Sequence, residues 1–255
     1  MSIRFSLLAA FLLFASDAQA QTSRLFLVPT ARPAERVEVG ARLVVPSVEA
    51  NLVRGVSAGV TGLVLPRKAD GVNAGGVAGG GAVDLRVTLV NRETSALALG
   101  ATTGASYSSG DRPRHLPFSS QVYAVGTLGG AEASVSAGVG VRVKGQNEWE
   151  SAWPGCPECD SGFGRTTYRV RVEPLPYLFG GAEAELARVG PLGYRVMAEG
   201  LAMPDGGDYS TLALGGLRVT HRRVTLDLGG AAATGWDLGE RETHLGPWVA
   251  LSAGF

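Results

Sequence analysis

Val135-Ser136-Ala137-Gly138-Val139-Gly140-Val141-Arg142-Val143 alternates without a break. In an extended chain, Val135, Ala137, Val139, Val141 and Val143 share one face, and Ser136, Gly138, Gly140 and Arg142 share the other. A period of two is the mark of a strand, because successive side chains leave its two faces in turn. The make-up of the faces decides what kind of strand this is. A soluble barrel points bulky apolar side chains inward and fills its core with them. Here the polar face carries glycine, serine and charge, while the apolar face is valine and alanine. That arrangement reads as apolar-out and polar-in, the pattern of a strand that crosses lipid.

The same pattern extends in both directions. Val83, Leu85, Val87 and Leu89 oppose Asp84, Arg86 and Thr88. Further on, Tyr168, Val170, Val172, Leu178, Ala182, Ala184 and Leu186 share a face, against Arg169, Arg171, Glu173, Glu183 and Glu185. Strands are expected at 36–45, 48–54, 56–65, 82–91, 95–106, 119–129, 133–143, 166–188, 192–203, 209–221, 224–233 and 243–255. The fold class is therefore all-β, a single antiparallel transmembrane barrel of twelve strands, with ten as the alternative count. An even number suits a single-chain bacterial barrel. A secreted β-sandwich or a lipocalin-like barrel also alternates. Neither explains small and charged residues on the face that would have to be the core.

The connections alternate in length. Arg54-Gly55, Arg92-Glu93-Thr94, Gly130-Ala131-Glu132, Val189-Gly190-Pro191 and Arg222-Arg223 are short. Stretches 66–81, 107–118, 144–165, 204–208 and 234–242 are mostly longer. Short periplasmic turns and long outer loops are the usual asymmetry of outer-membrane barrels. The final strand then ends at the periplasmic rim on Phe255, in the same parity as Ala253, Leu251 and Val249.

The beginning of the chain reads as a signal peptide over residues 1–20. Arg4 gives a positive start, Phe5 to Ala15 an apolar run, and Ala18-Gln19-Ala20 a small-x-small cleavage site. A spanning helix needs about 20 apolar residues, and no later run is long enough. A closed barrel is the other structure that satisfies its backbone within lipid. The expected organisation is signal peptide 1–20, N-terminal segment 21–35 and barrel 36–255.

Composition agrees. Of 255 residues, 37 are glycine and 18% are charged, below the roughly 25% of an ordinary soluble domain. Formal net charge is zero, so bulk electrostatics offers no reason for nucleic-acid binding. Lys68 and Lys144 are the only lysines among 23 basic residues. The rest are arginine, whose rigid fork suits buried ion pairs.

Leu27-Val28-Pro29-Thr30-Ala31-Arg32-Pro33, the Gly190-Pro191-Leu192 turn, Ala198-Glu199-Gly200, Gly215-Gly216-Leu217-Arg218 and Leu226-Asp227-Leu228-Gly229 together carry a family likeness. Through them the mature chain resembles a group of uncharacterised bacterial outer-membrane β-barrel proteins, most sharply in its C-terminal third. The resemblance implies a barrel in the outer membrane of a diderm bacterium. It carries no catalytic residue. A Cys-containing loop and a Gly-rich tract depart from that group.

By parity, inward positive positions are Arg42, Arg86, Arg142, Arg169, Arg171, Arg195 and Arg218. Inward negative positions are Glu38, Glu49, Asp84, Glu173, Glu183, Glu185, Glu199 and Asp227. The Arg222-Arg223 hairpin sets His221 opposite Val224, and hence Arg218 opposite Asp227, with Glu199 within reach through the shear of the barrel. Such a lumen charge network could form a selectivity constriction. A selective pore usually concentrates one sign, so near-cancelling charges point rather to an ion-pair network that stiffens the interior.

Cys156-Pro157-Glu158-Cys159 lies in an expected outer loop. No second CxxC or nearby histidine completes a metal site, and no βαβ pattern suggests a thioredoxin-like motif. In an exported chain a disulfide between Cys156 and Cys159 is the expectation. Trp149, Trp153 and Phe163 would pack that loop or sit at the outer interface. No cofactor is implied. His115, His221 and His244 are the only histidines, and none is set beside a serine on an outward face, so no catalytic residue is assigned. Gly75-Gly76 and Gly79-Gly80-Gly81 lack the Lys-Ser/Thr of a phosphate loop and read as flexible outer loop. The expected partners are outer-membrane lipid and a small solute in the lumen. The function expected is a passive, porin-like channel or small-solute transporter. The alternative is a structural or surface-interaction barrel closed by its own interior charges.

Overall fold

The computed structural model describes residues 29–33, 37–42, 45–68, 75–108, 118–151, 164–205, 208–237 and 240–255. Residues 1–28, with the expected signal peptide, lie outside them, as do His115 and the Cys156–Cys159 pair. The described chain is all-β. Its strands are β1 (Val37–Arg42), β2 (Val45–Val53), β3 (Val56–Lys68), β4 (Gly75–Asn91), β5 (Ser95–Ser108), β6 (Phe118–Gly129) and β7 (Ala133–Ser151). They continue as β8 (Gly164–Val172), β9 (Tyr177–Val189), β10 (Leu192–Asp205), β11 (Asp208–His221), β12 (Val224–Asp237) and β13 (Glu240–Gly254).

Every pairing is antiparallel, and the sheet closes on itself through β1 and β13. At the seam Val37 N donates to Phe255 O at 3.2 Å, and Phe255 N donates to Val37 O at 2.7 Å. The result is a closed twelve-stranded barrel plus one extra strand, β8. β8 and β9 lie end to end along β7. Ala133 to Gly140 pair with β9, and Val143 to Ser151 pair with β8. The sequence predicts one strand over 166–188; Glu173-Pro174-Leu175-Pro176 breaks it. Proline has no N–H to give to a ladder, so two of them in four residues end regular pairing. Only Glu173 N keeps its bond, to Arg142 O at 2.9 Å.

The strands also run further outward than the sequence pattern indicates. β7 extends to Ser151, β4 begins at Gly75, and β12 and β13 are separated only by residues 238–239. The Gly75–Gly81 tract, expected to be flexible loop, is therefore strand, paired to β3 and β5. Glycine-rich strands lack the alternation that sequence reading depends on, while their backbone pairs as well as any other.

Facing agrees with the expectation. Val139 is 47% exposed on the outer surface and Leu85 47%, whereas Arg86 is 0% exposed and Asp227 5%. Val83, Val135, Leu178, Val196, Leu228, Val249 and Leu251 join the apolar exterior. A monomer in water rarely carries so continuous an apolar surface. Among the described residues no helix is long and apolar enough to cross a membrane.

Candidate functional site: the barrel interior

Two kinds of packing fill the interior. Through β5 to β9 it is aromatic. The register sets Gly100 opposite Tyr123, Tyr123 opposite Gly140, Gly140 opposite Tyr177, and Gly138 opposite Phe179. Each ring lies over a neighbouring strand's glycine. A Cβ on Gly138 would meet Phe179 Cζ at 2.1 Å, and one on Gly100 would meet Tyr123 Cζ at 2.1 Å. Tyr177 stacks on Phe179 with centroids 5.4 Å apart, and Tyr123 meets Phe179 edge-on at 5.7 Å. Across the lumen Met197, Leu214 and Trp248 form a second apolar cluster. None of these six large inward side chains was singled out by sequence reading. The glycine opposite each ring became visible only once register was known.

The inward charges are paired. Arg218 on β11 makes a two-pronged bond to Asp227 on β12, Nε to Oδ1 at 2.7 Å and Nη2 to Oδ2 at 2.8 Å. That is the pair the Arg222-Arg223 hairpin predicts, and His221 does stand opposite Val224. From there the charges continue around the wall. Arg218 Nη1 lies 3.5 Å from Glu183, Glu183 lies 3.4 Å from Arg195 Nη2, and Arg195 Nη1 lies 3.8 Å from Glu185. Glu185 binds Arg188 at 2.9 Å. Glu183 on β9 thus reaches Arg218 from two strands away, while Glu199 lies buried on β10, opposite Leu214. Elsewhere Arg86, wholly buried, binds Glu49. Asp84 accepts from Thr102 at 2.6 Å and from Tyr123 at 3.1 Å. Glu173 holds Lys144 at 3.0 Å and Arg142 at 3.5 Å.

Arg169 and Arg171 correct the sequence reading. They sit on β8, which pairs with β7 alone, and both are exposed at the rim. Parity assigned them inward, but there is no strand on the far side of β8 to enclose them. Arg188 was not among the charges that sequence reading placed inward. Register shifts between Tyr194 and Arg195, so that Ala187 opposes Tyr194 while Glu185 opposes Arg195. The extra residue, Leu186, resets the parity of β9 and turns Arg188 toward the interior. Lys144 was missed because β7 was expected to stop at Val143.

The short-turn end of the barrel holds residues 29–33. Ala31 is 0% exposed. Its N donates to Thr127 Oγ1 at 2.8 Å, and its carbonyl accepts from Thr88 Oγ1 at 3.2 Å. Arg32 Nη2 donates to the carbonyls of Glu93 at 3.0 Å and Gly129 at 2.5 Å. Beside this segment opens a cavity of about 200 Å³, lined by Arg32, Arg188, Arg195, Arg218, Arg222, Glu183 and Glu185 among others. Among the described residues no group of His, Cys, Asp and Glu is placed to hold a metal ion.

A closed twelve-stranded barrel with an apolar exterior and a polar, ion-paired interior fits an outer-membrane barrel protein. Compared with known protein families and with curated proteins, the chain matches none.

Proposed function

We propose that the chain is an outer-membrane barrel of a diderm bacterium whose lumen is shut by its own side chains, serving a structural or surface-interaction role. The observation that carries this reading is the burial of inward residues all around the wall. Arg86 is 0% exposed, Met197, Val125 and Thr225 1%, and Ser136 2%. A static pore needs wetted walls. Twelve strands stand between the roughly 8 whose interior side chains can just fill and the 16–18 that leave an aqueous channel, so side-chain size decides. Rings laid over glycines and arginines stretched between strands favour the filled case. The passive channel gives way to this reading because near-cancelling charges are tied to each other and not presented to a passing ion.

Several features support the membrane location: the exposed valine and leucine exterior, the short turns gathered at one end with Phe255, and the likeness of Leu27 to Pro33 and of the C-terminal third to outer-membrane barrels. Planar-bilayer recording on the refolded full chain tests the lumen. Folded protein that inserts yet gives no stable current steps is the expected result. Reproducible open levels at low voltage would return the chain to the channel class.

A further inference from the structure

We propose that residues 29–33 are a detachable stopper, which leaves and re-enters the short-turn mouth while the barrel wall stays intact. This goes beyond the closed-lumen reading and does not depend on it, since the interior packing of Arg86 and Met197 is the wall's own. Ala31 lies across β5. Its hydrogen bonds reach Thr88 on β4 and Thr127 on β6. On the strand between, Ala98 stands opposite Thr88 and Ala96 opposite Thr127. Ala31 joins Ala96, Ala98, Tyr123 and Val125 in one buried cluster. Within the segment only Thr30 and Ala31 are buried, so its seat covers little apolar surface.

The seat is bonded independently of the segment. At the two turns that Arg32 touches, Arg92 N donates to Ser95 O at 2.8 Å, Gly129 N to Thr94 O at 3.0 Å and Gly130 N to Ala133 O at 2.9 Å. Thr127 Oγ1 has a second partner in Ser136 Oγ, at 2.9 Å. The carbonyls of Glu93 and Gly129 that hold Arg32 lie at the turns, where water replaces the guanidinium when it leaves. The segment itself is tied mainly through side chains and turn carbonyls, with a lone bridge at Pro29. Beside it, the cavity of about 200 Å³ that Thr30 and Arg32 help to line leaves one flank unpacked. A piece of chain with few apolar contacts and solvent-replaceable hydrogen bonds opens far more readily than the strands around it.

Alkylation by N-ethylmaleimide tests this, on the full chain folded in detergent with Cys156→Ser and Cys159→Ser as background. Ala98→Cys places a reporter beneath the segment, and Ala250→Cys places one at a buried position on β13. The thiol at position 98 reacts at a rate that stays nearly flat through low urea, because leaving the mouth exposes little surface. The thiol at position 250 reacts only as the barrel unfolds, with a steep urea dependence. Arg32→Ala removes both bonds to the turn carbonyls and speeds the reaction at position 98 about tenfold. It leaves position 250 and the mobility of the unboiled barrel unchanged. Should Ala98→Cys fail to fold, Ala96→Cys is read in its place. A rate at position 98 that climbs with urea in parallel with position 250 overturns the stopper. So does a rate that Arg32→Ala leaves unmoved, or equal acceleration at both positions. Bilayer currents play no part in these readouts, so the failure of one reading is not the failure of the other.

Discussion

Arg218 and Asp227 show how a buried charge is tolerated in this interior. Their side chains are 4% and 6% exposed, and both prongs of the guanidinium fork are used. Two such charges gain little over an apolar pair, because desolvation opposes their attraction. Removing one partner leaves a buried charge uncompensated, at about 3–5 kcal/mol. Asp227→Ala is therefore expected to lower the denaturant stability of the barrel by about that amount. Replacing both residues with leucine should recover most of the loss. An equal loss in the single and double variants would show that the pair is not the origin of the effect. The glycines facing Tyr123, Tyr177 and Phe179 follow a different logic. Their lack of a side chain is the space a ring occupies on the next strand, so inward glycine on β5 and β7 measures aromatic content and not an open lumen.

At the scale of the strand, the outward face and the breaks carry the information. Val139 lies between Ala124 and Leu178 on its neighbours, all on the exterior. An arginine near the bilayer midplane of such a face costs about 2–4 kcal/mol, falling to about 0–1 kcal/mol near the interface. Val139→Arg should sharply reduce the yield of folded barrel in lipid vesicles, whereas Leu245→Arg, 81% exposed toward the far end of β13, should be nearly silent. Equal yields would contradict the outward placement of Val139. The two breaks in the β8–β9 line do different things. Pro174 and Pro176 free β8 from the barrel wall, and the Leu186 bulge rotates Arg188 into the mouth. One sends expected lumen charges to the rim, and the other brings an unexpected charge in.

The whole molecule is a sheet with no free edge in its barrel wall, closed where Val37 and Phe255 exchange hydrogen bonds. Closure satisfies the backbone within lipid and makes unfolding all-or-none around the ring. Heat-modifiability follows: unboiled protein extracted in mild detergent should migrate faster on a gel than boiled protein. Identical mobility would count against a closed barrel. The interior belongs to this scale as well. Ring packing, ion pairs and residues 29–33 at the short-turn mouth occupy an interior whose filling strand number alone leaves undecided.

Alternation along single strands determined the all-β class, the outward face of strands such as β4 and β7 and the Arg218–Asp227 pair, because a period of two and a two-residue turn are local geometry. The likeness in Leu27 to Pro33 drew notice to that segment, though nothing local told that Ala31 is buried between Thr88 and Thr127. Only the tertiary structure decided which glycines are covered by rings, that Glu183 reaches Arg218, that Arg169 and Arg171 stand at the rim, and that Arg188 turns inward. Those outcomes depend on register between distant strands, on a bulge and on the absence of a neighbour. Parity along one strand carries none of these, since each is fixed by where the next strand lies.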